Sequence, residues 1–159
     1  MNPRSIEKPA SYPALLVRAG TCVCALPLSH IVETMRPLAV APLPGMPEFV
    51  RGLSIIRGEP VPVVDAGTLL GAPSGQPPQR YVTVRAGERK VALAVDAVSG
   101  VRELEPSLLG DMPPLLGNAG SDLIESLGVL DADLLMVLKA GSIVPIGLWN
   151  LLVDPEARG

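Results

Sequence analysis

Val17-Arg18-Ala19-Gly20 recurs as Val84-Arg85-Ala86-Gly87, 84 − 17 = 67 positions further on. The residues around the two copies keep the spacing. Ala25-Leu26 matches Ala92-Leu93, Leu28 matches Val95, and Ile31 matches Val98. A one-residue slip then aligns Met35-Arg36 with Val101-Arg102. A second block repeats at 139 − 65 = 74 positions. There Val63-Val64-Asp65-Ala66-Gly67 matches Val137-Leu138-Lys139-Ala140-Gly141, and Ile55-Ile56 matches Val129-Leu130. The offsets differ by 74 − 67 = 7 residues, which one longer loop absorbs. Apolar strands resemble one another cheaply, but two collinear blocks favour an internal duplication.

The punctuation says what is duplicated. Eighteen prolines and 16 glycines suit short strands and turns better than long helices. Ala14–Arg18 and Val23–Leu28 flank Ala19-Gly20, a hairpin signal. Leu53–Arg57, Val61–Asp65, Tyr81–Arg85, Val91–Val95, Val98–Arg102, Ser126–Leu130 and Leu134–Leu138 also read as strands. Pro37–Pro47 holds four prolines and excludes a helix or central strand. Gly71–Gln79 is a linker, and Asp111–Gly120 a Pro/Gly loop. Each half then has about 65 residues and about five strands, a sheet that closes best as a barrel. Barrels that small have thin interiors, so the halves are expected to pack tightly together.

Composition removes several function classes. The chain has 159 residues, 48% hydrophobic and 18% charged, which suits a packed domain and not a disordered chain. Thirteen basic against 16 acidic residues leave a net charge of −3, with no cationic excess for phosphates. Aromatics at 3% give no base-stacking platform, so a small nucleic-acid-binding barrel is disfavoured. The uncharged runs Ala19–Val32 and Ala140–Val153 fall short of the roughly 20 residues of a membrane helix. Arg4, Glu7 and Lys8 precede no apolar signal core, which points to a cytoplasmic protein.

Catalytic signatures are absent: no G-x-S-x-G, H-E-x-x-H, Walker loop or G-x-G-x-x-G occurs. A small hydrolase would have to use Cys24 and His30, the one histidine. Cys22 and Cys24 share one strand face with Leu26 and Leu28, and so read as a core stripe. Two thiols and one imidazole make no zinc site, and no cofactor is expected. Glu33, Glu59, Asp65, Asp96, Glu103, Asp131 and Asp133 scatter without forming a dyad. The distinctive stretch is Gly52-Leu-Ser-Ile-Ile-Arg57-Gly58-Glu-Pro-Val-Pro-Val-Val-Asp65. Its arginine ends an apolar strand, as a structural fork for a carboxylate or as a recognition side chain. Gly58 allows a backbone other residues resist. In the second half the pair becomes Asp131-Ala132, so the repeats diverge at this turn.

From about Tyr12 to Val153 the chain resembles the CheW-like domain of chemotaxis coupling proteins, shared with CheA and CheV. The resemblance is carried by Ile31-Val32-Glu33, Leu43-Pro44…Pro47-Glu48-Phe49-Val50-Arg51-Gly52, Ile55–Ala66 and Val91–Val98. The hallmark Asn before Leu-Arg-Gly is here Ile55, and the Leu after Asp65 is Ala66. The resemblance implies an all-β fold: two intertwined five-stranded SH3-like barrels around a shared hydrophobic core. It implies one domain over 12–153, with subdomains at about 12–75 and 76–145 and a C-terminal helix at about 146–153. Residues 1–11 and 154–159 are expected to be tails.

The function so implied is a non-enzymatic adaptor between transmembrane chemoreceptors and a CheA-type histidine kinase, at membrane-associated receptor arrays. Its partners would be the receptor's cytoplasmic hairpin tip and the regulatory domain of CheA. Ile31, Glu33, Arg57 and Gly58 are the expected receptor-binding groove, with Ile31 as the apolar contact. A module of an alternative chemosensory pathway, serving pili, surface sensing or second-messenger output, is the rival reading. Glu33 and Arg57 both interrupt apolar stretches of the same half and are expected to form a bridge near the groove. Chelator-washed protein is expected to keep its melting temperature and carry no stoichiometric zinc; metal analysis and thermal melting check this.

Overall fold

A computed structural model describes residues 10–110, 123–144 and 148–149. Ten strands dominate it. The first repeat gives β1 (Tyr12–Ala19), β2 (Cys22–Pro27), β3 (Ile31–Met35), β4 (Val50–Ile56) and β5 (Glu59–Asp65). The second gives β6 (Arg80–Ala86), β7 (Arg89–Val95), β8 (Ala97–Leu104), β9 (Ile124–Leu130) and β10 (Asp133–Leu138). A four-residue helix, α1 (Ala66–Leu69), follows β5. Leu148 and Trp149 are helical, and the rest of the helix expected at 146–153 lies outside the described residues. So do most of the 1–11 tail, the 154–159 tail and the 111–120 loop.

The strands form two five-stranded sheets, ordered β8-β1-β2-β10-β9 and β3-β6-β7-β5-β4. Each holds one parallel pair among antiparallel ones, β10 with β2 and β5 with β7. Reciprocal backbone hydrogen bonds bring the sheet ends together: Ala41 with Leu53 at 2.8 and 2.9 Å, and Gly110 with Leu127 at 2.7 and 2.8 Å. The sheets are therefore barrels. The second is built from residues 31–95, and the first from 12–27 with 97–138. The boundary near residue 75 separates the repeats, while the barrels are divided elsewhere. Each repeat gives its hairpin to the barrel that holds the other repeat's last three strands.

The duplication is in register throughout. Ile31 pairs with Val84 and Glu33 with Thr83, as Val98 pairs with Val17 and Gly100 with Leu16, each with a bulge between. The 67-residue offset thus continues to Met35 and Arg102 (102 − 35 = 67), and the slip proposed there from the sequence does not occur. Val63 pairs with Ala92 as Val137 pairs with Ala25, which keeps the 74-residue offset (137 − 63 = 74).

Apolar burial explains the unbroken runs. Val61–Val64 and Val91–Val95 are buried along their length because they are covered on both faces. One face fills a barrel: Ala14, Leu16, Val23 and Ala25 in the first, Tyr81, Ala92 and Ala94 in the second. The other face meets the opposite barrel in a common seam that includes Val17, Cys24, Leu26, Val64, Val84 and Leu93. Among the described residues this seam holds 18 buried apolar residues, against seven and six in the barrel interiors. Cys24 lies in it fully buried, with Cys22 packed at its edge. Leu28 does not join them, contrary to the expected stripe. Pro27 has no N–H for the ladder, β2 ends there, and Leu28 is 38% exposed on a 3-10 turn.

The β1–β2 turn locks the barrels together. The Gly20 amide donates to Asp96 Oδ2 at 2.6 Å, and the Asp96 amide to the Arg18 carbonyl at 2.8 Å. Gly20 has φ +61, and a Cβ there would sit 1.7 Å from the Ala72 carbonyl oxygen. Gly87, its repeat partner, has φ +68 and open space around it. Gly87→Ala is therefore expected to cost only the left-handed backbone penalty of about 1–2 kcal/mol. Gly20→Ala adds a backbone clash and is expected to cost at least about 2 kcal/mol more. Urea unfolding of the two variants measures the difference.

Candidate functional site

Glu33 and Arg57 meet at the end of the second barrel. The Arg57 guanidinium donates Nη2 to Glu33 Oε1 at 2.8 Å and Nε to Oε2 at 3.1 Å. This is the two-pronged fork that suits arginine and not lysine. Arg57 and Gly58 are the two loop residues between Ile56 and Glu59, with φ +54 and +79. Both positive values belong to a type I′ hairpin, whose twist matches the flanking strands. Glycine takes the second position freely, and the turn holds Arg57 outward, 74% exposed at its side chain. Glu33 is more enclosed, at 24%.

The bulge at Val32 decides how Ile31 relates to this pair. Simple alternation would put residues 31 and 33 on one face of β3. The register instead sets Ile31 opposite Val84, a seam residue, and Glu33 opposite Thr83, inside the barrel. Ile31 is half-buried and packs against the seam. The structure thus joins Glu33, Arg57 and Gly58 in one cluster, and turns Ile31 to the seam instead.

Lys90 belongs to this site and was not among the residues expected there. It sits on β7 opposite Arg85, with β6 between it and β3, and its charge acts on Glu33. Nothing in the local sequence shows this, because the proximity of the two charges depends on strand order. The hydrogen bonds from Arg57 hold the Glu33 carboxyl below the ordinary glutamate range, against the opposing effect of lost hydration. The charges of Arg57 and Lys90 lower it further. Asp65, at the end of the hallmark stretch, has a structural task. It accepts the Thr68 amide at 3.0 Å, capping α1, and pairs with Arg51 at 3.2 Å.

No nucleophile is available at Cys24. Burial, with a smaller effect from Cys22, pushes its thiol up to about 12, so the thiolate is not formed near neutrality. His30 is exposed on the 3-10 turn after β2, and no hydrogen bond joins it to Cys24. Among the described residues no group of three or more His, Cys, Asp or Glu is placed to hold a metal ion. No helix among them is long and apolar enough to cross a membrane.

The lowered Glu33 pKa fixes the sign of a pH effect. Stability from the pair is fully present above the unfolded glutamate value and is lost as pH falls through the lower folded value. NMR titration of the Glu33 carboxyl is expected to give a midpoint below that of an ordinary glutamate. Arg57→Gln is expected to return most of the shift.

Comparison with known proteins follows the same lines. Residues 13–146 match the family model of the CheW-like domain. The chain is 29% identical over 119 residues to Protein FrzA of Myxococcus xanthus, covering 72% of this chain and 71% of FrzA. It is 26% identical over 106 residues to Chemotaxis protein CheW of Rhizobium meliloti (strain 1021), covering 65% of this chain and 68% of that protein. The crystal structure of the scaffolding protein TtCheW from Thermoanaerobacter tengcongensis superimposes with a TM-score of 0.76 at 20% identity. That match covers 86% of this chain and 94% of TtCheW, and shows the same fold. With residues 13–146 matched to the domain model and laid out as a duplicated barrel pair, the chain belongs to the CheW-like family of non-enzymatic chemotaxis scaffold proteins.

Proposed function

We propose that this protein couples transmembrane chemoreceptors to a CheA-type histidine kinase. The receptor's cytoplasmic hairpin tip would dock where the second barrel meets the seam, and the kinase's regulatory domain at the barrel ends. The reading places the protein at membrane-associated receptor arrays. The observation that carries it is the Glu33–Arg57 fork. A two-pronged ion pair on a rigid I′ turn, more exposed at the arginine than at the carboxylate, adds little to folding in such a setting. It does hold one cation in a fixed direction at the end of the barrel, which suits recognition. Gly58 supplies the left-handed backbone of the turn, φ +79, in open surroundings where a Cβ would meet nothing within 4 Å.

One observation favours a related pathway with different partners, serving pili, surface sensing or second-messenger output. Ile55 stands where the family hallmark has asparagine, and it is 65% exposed at the edge of the same turn. An apolar side chain there alters what the tip recognises. Either pathway uses the same adaptor chemistry.

Ile31→Asp is expected to weaken receptor-tip binding by about 30-fold or more, from burying an unpaired charge at the contact. Kinase binding is expected to survive. Because Ile31 also packs on the seam, thermal melting accompanies the separate pulldowns. Arg57→Glu changes an exposed side chain and leaves the core untouched, so it provides the second test. Receptor loss in both folded variants supports the site. Normal receptor binding in folded Arg57→Glu, or loss of Ile31→Asp only through unfolding, refutes it.

A further inference from the structure

Thr83 is wholly buried, and its hydroxyl has no hydrogen-bond partner among the described residues. It lies on β6 directly opposite Glu33, with Ala92 opposite it on β7. Like Tyr81 two residues earlier, it faces the interior of the second barrel. Valine fills the same shape without stranding a polar group, so the unpaired hydroxyl destabilises the free protein. The other repeat has none. Its equivalent position is Leu16 (83 − 67 = 16), which faces Gly100 where Thr83 faces Glu33. The buried hydroxyl thus occurs only in the barrel that also holds the carboxylate. Residues directly opposite across an antiparallel pair have Cβ atoms about 4.5–5.5 Å apart, so side-chain rotation alone brings the two groups together. In the free protein both carboxylate oxygens are held by Arg57 instead.

We infer that Thr83 is a second seat for Glu33, taken when an aspartate or glutamate of the bound partner claims Arg57. The inference rests on the reading of Arg57 as the recognising cation, and adds the partner's chemistry and the residue that permits the exchange. The fork aims Arg57 before the partner arrives. Its arginine is the exposed half, at 74% against 24% for Glu33, so an incoming group meets the guanidinium first. A carboxylate reproduces the two-pronged geometry that Glu33 gives up, which a neutral group cannot match. A cation is repelled by Arg57, and also by Lys90, whose charge acts at the same place. Drawing Arg57 away would leave a largely enclosed carboxylate unpaired, a strongly destabilising state unless other partners stand ready. Two do. Lys90 already favours the Glu33 charge, and the Thr83 hydroxyl supplies a donor that nothing else uses. Repulsion from the partner's acid adds to the drive that turns Glu33 inward.

Melting of the free protein tests the second seat without any partner. Thr83→Val is expected to raise the melting temperature or leave it unchanged in the natural chain, where the hydroxyl is unpaired. In Arg57→Gln, which lacks the fork, the same change is expected to lower it by about 2–4 °C. A hydroxyl with a fixed structural role acts with one sign in both. Recognition is tested with N-acetyl-glutamate methylamide and its glutamine analogue, titrated into ¹⁵N,¹³C-labelled full-length protein. The glutamate probe is expected to shift the Arg57 Nε–H and the Thr83 methyl together, and the glutamine analogue to bind at least about fivefold more weakly. Thr83→Val is expected to weaken the glutamate probe about fivefold, while Thr83→Ser, which keeps the hydroxyl, binds it as the natural chain does. Neither experiment uses the receptor tip, so the coupling role and this exchange fail separately. The same sign of Thr83→Val in both backgrounds, an Arg57 shift with Thr83 unmoved, equal binding of the two probes, or no shift at Arg57 would each overturn the inference.

Discussion

Burial of the seam carries the fold, because neither barrel encloses enough apolar side chain to stand alone. Among the described residues the two interiors hold only seven and six buried apolar residues, with Ala14, Ala25, Ala92 and Ala94 beside larger groups such as Leu16, Leu135 and Tyr81. The larger set, with Leu26, Val64, Leu93, Leu138 and Ile143, lies between the barrels. Small five-stranded barrels bury a low fraction of their surface, and joining two of them back to back remedies this. The requirement also explains why β2 and β7 are apolar on both faces, and why the only thiols sit where they do.

With the seam fixed, the hairpin tips are free to vary. The backbone at 57–58 and 131–132 keeps the same positive φ values, since strand twist demands it. The charges do not follow. One tip carries Arg57 against Glu33, the other Asp131 against Arg102. Chemistry has diverged where the backbone could not, and the two ends of a nearly symmetric body thereby present opposite signs to their surroundings.

Much of this was legible from residues alone. The repeat spacing identified the duplication, because side chains on a doubly covered strand are constrained at each position. The Glu33–Arg57 pair was legible because charged residues interrupting apolar stretches seek partners. Three features were not. The bulge at Val32 sends Ile31 and Glu33 to opposite faces, and bulges leave no composition signal here. The exchange of hairpins between barrels is a matter of strand order, which the alternation within a strand does not encode. The charge of Lys90 acts on Glu33 only through that order. The apparent slip at Met35 arose because Met-Arg resembles Val-Arg, while the structural partner of Met35 is the dissimilar Arg102.

The strand order also sets a timetable for synthesis. The second barrel is one continuous stretch, and its parallel partners Val63 and Ala92 are separated by 92 − 63 = 29 residues. In the first barrel Val23 must wait for Leu135, which is 135 − 23 = 112 residues away. A chain emerging from the ribosome can therefore complete its middle while its opening hairpin has no parallel neighbour. During that interval the apolar faces of β1 and β2, with both thiols, stand uncovered, and the open edge of β2 is free to pair with another chain. Long-range closure of this kind is slow. The architecture that joins the barrels thus concentrates the hazard of misassembly in the hairpin that is made long before its parallel partner.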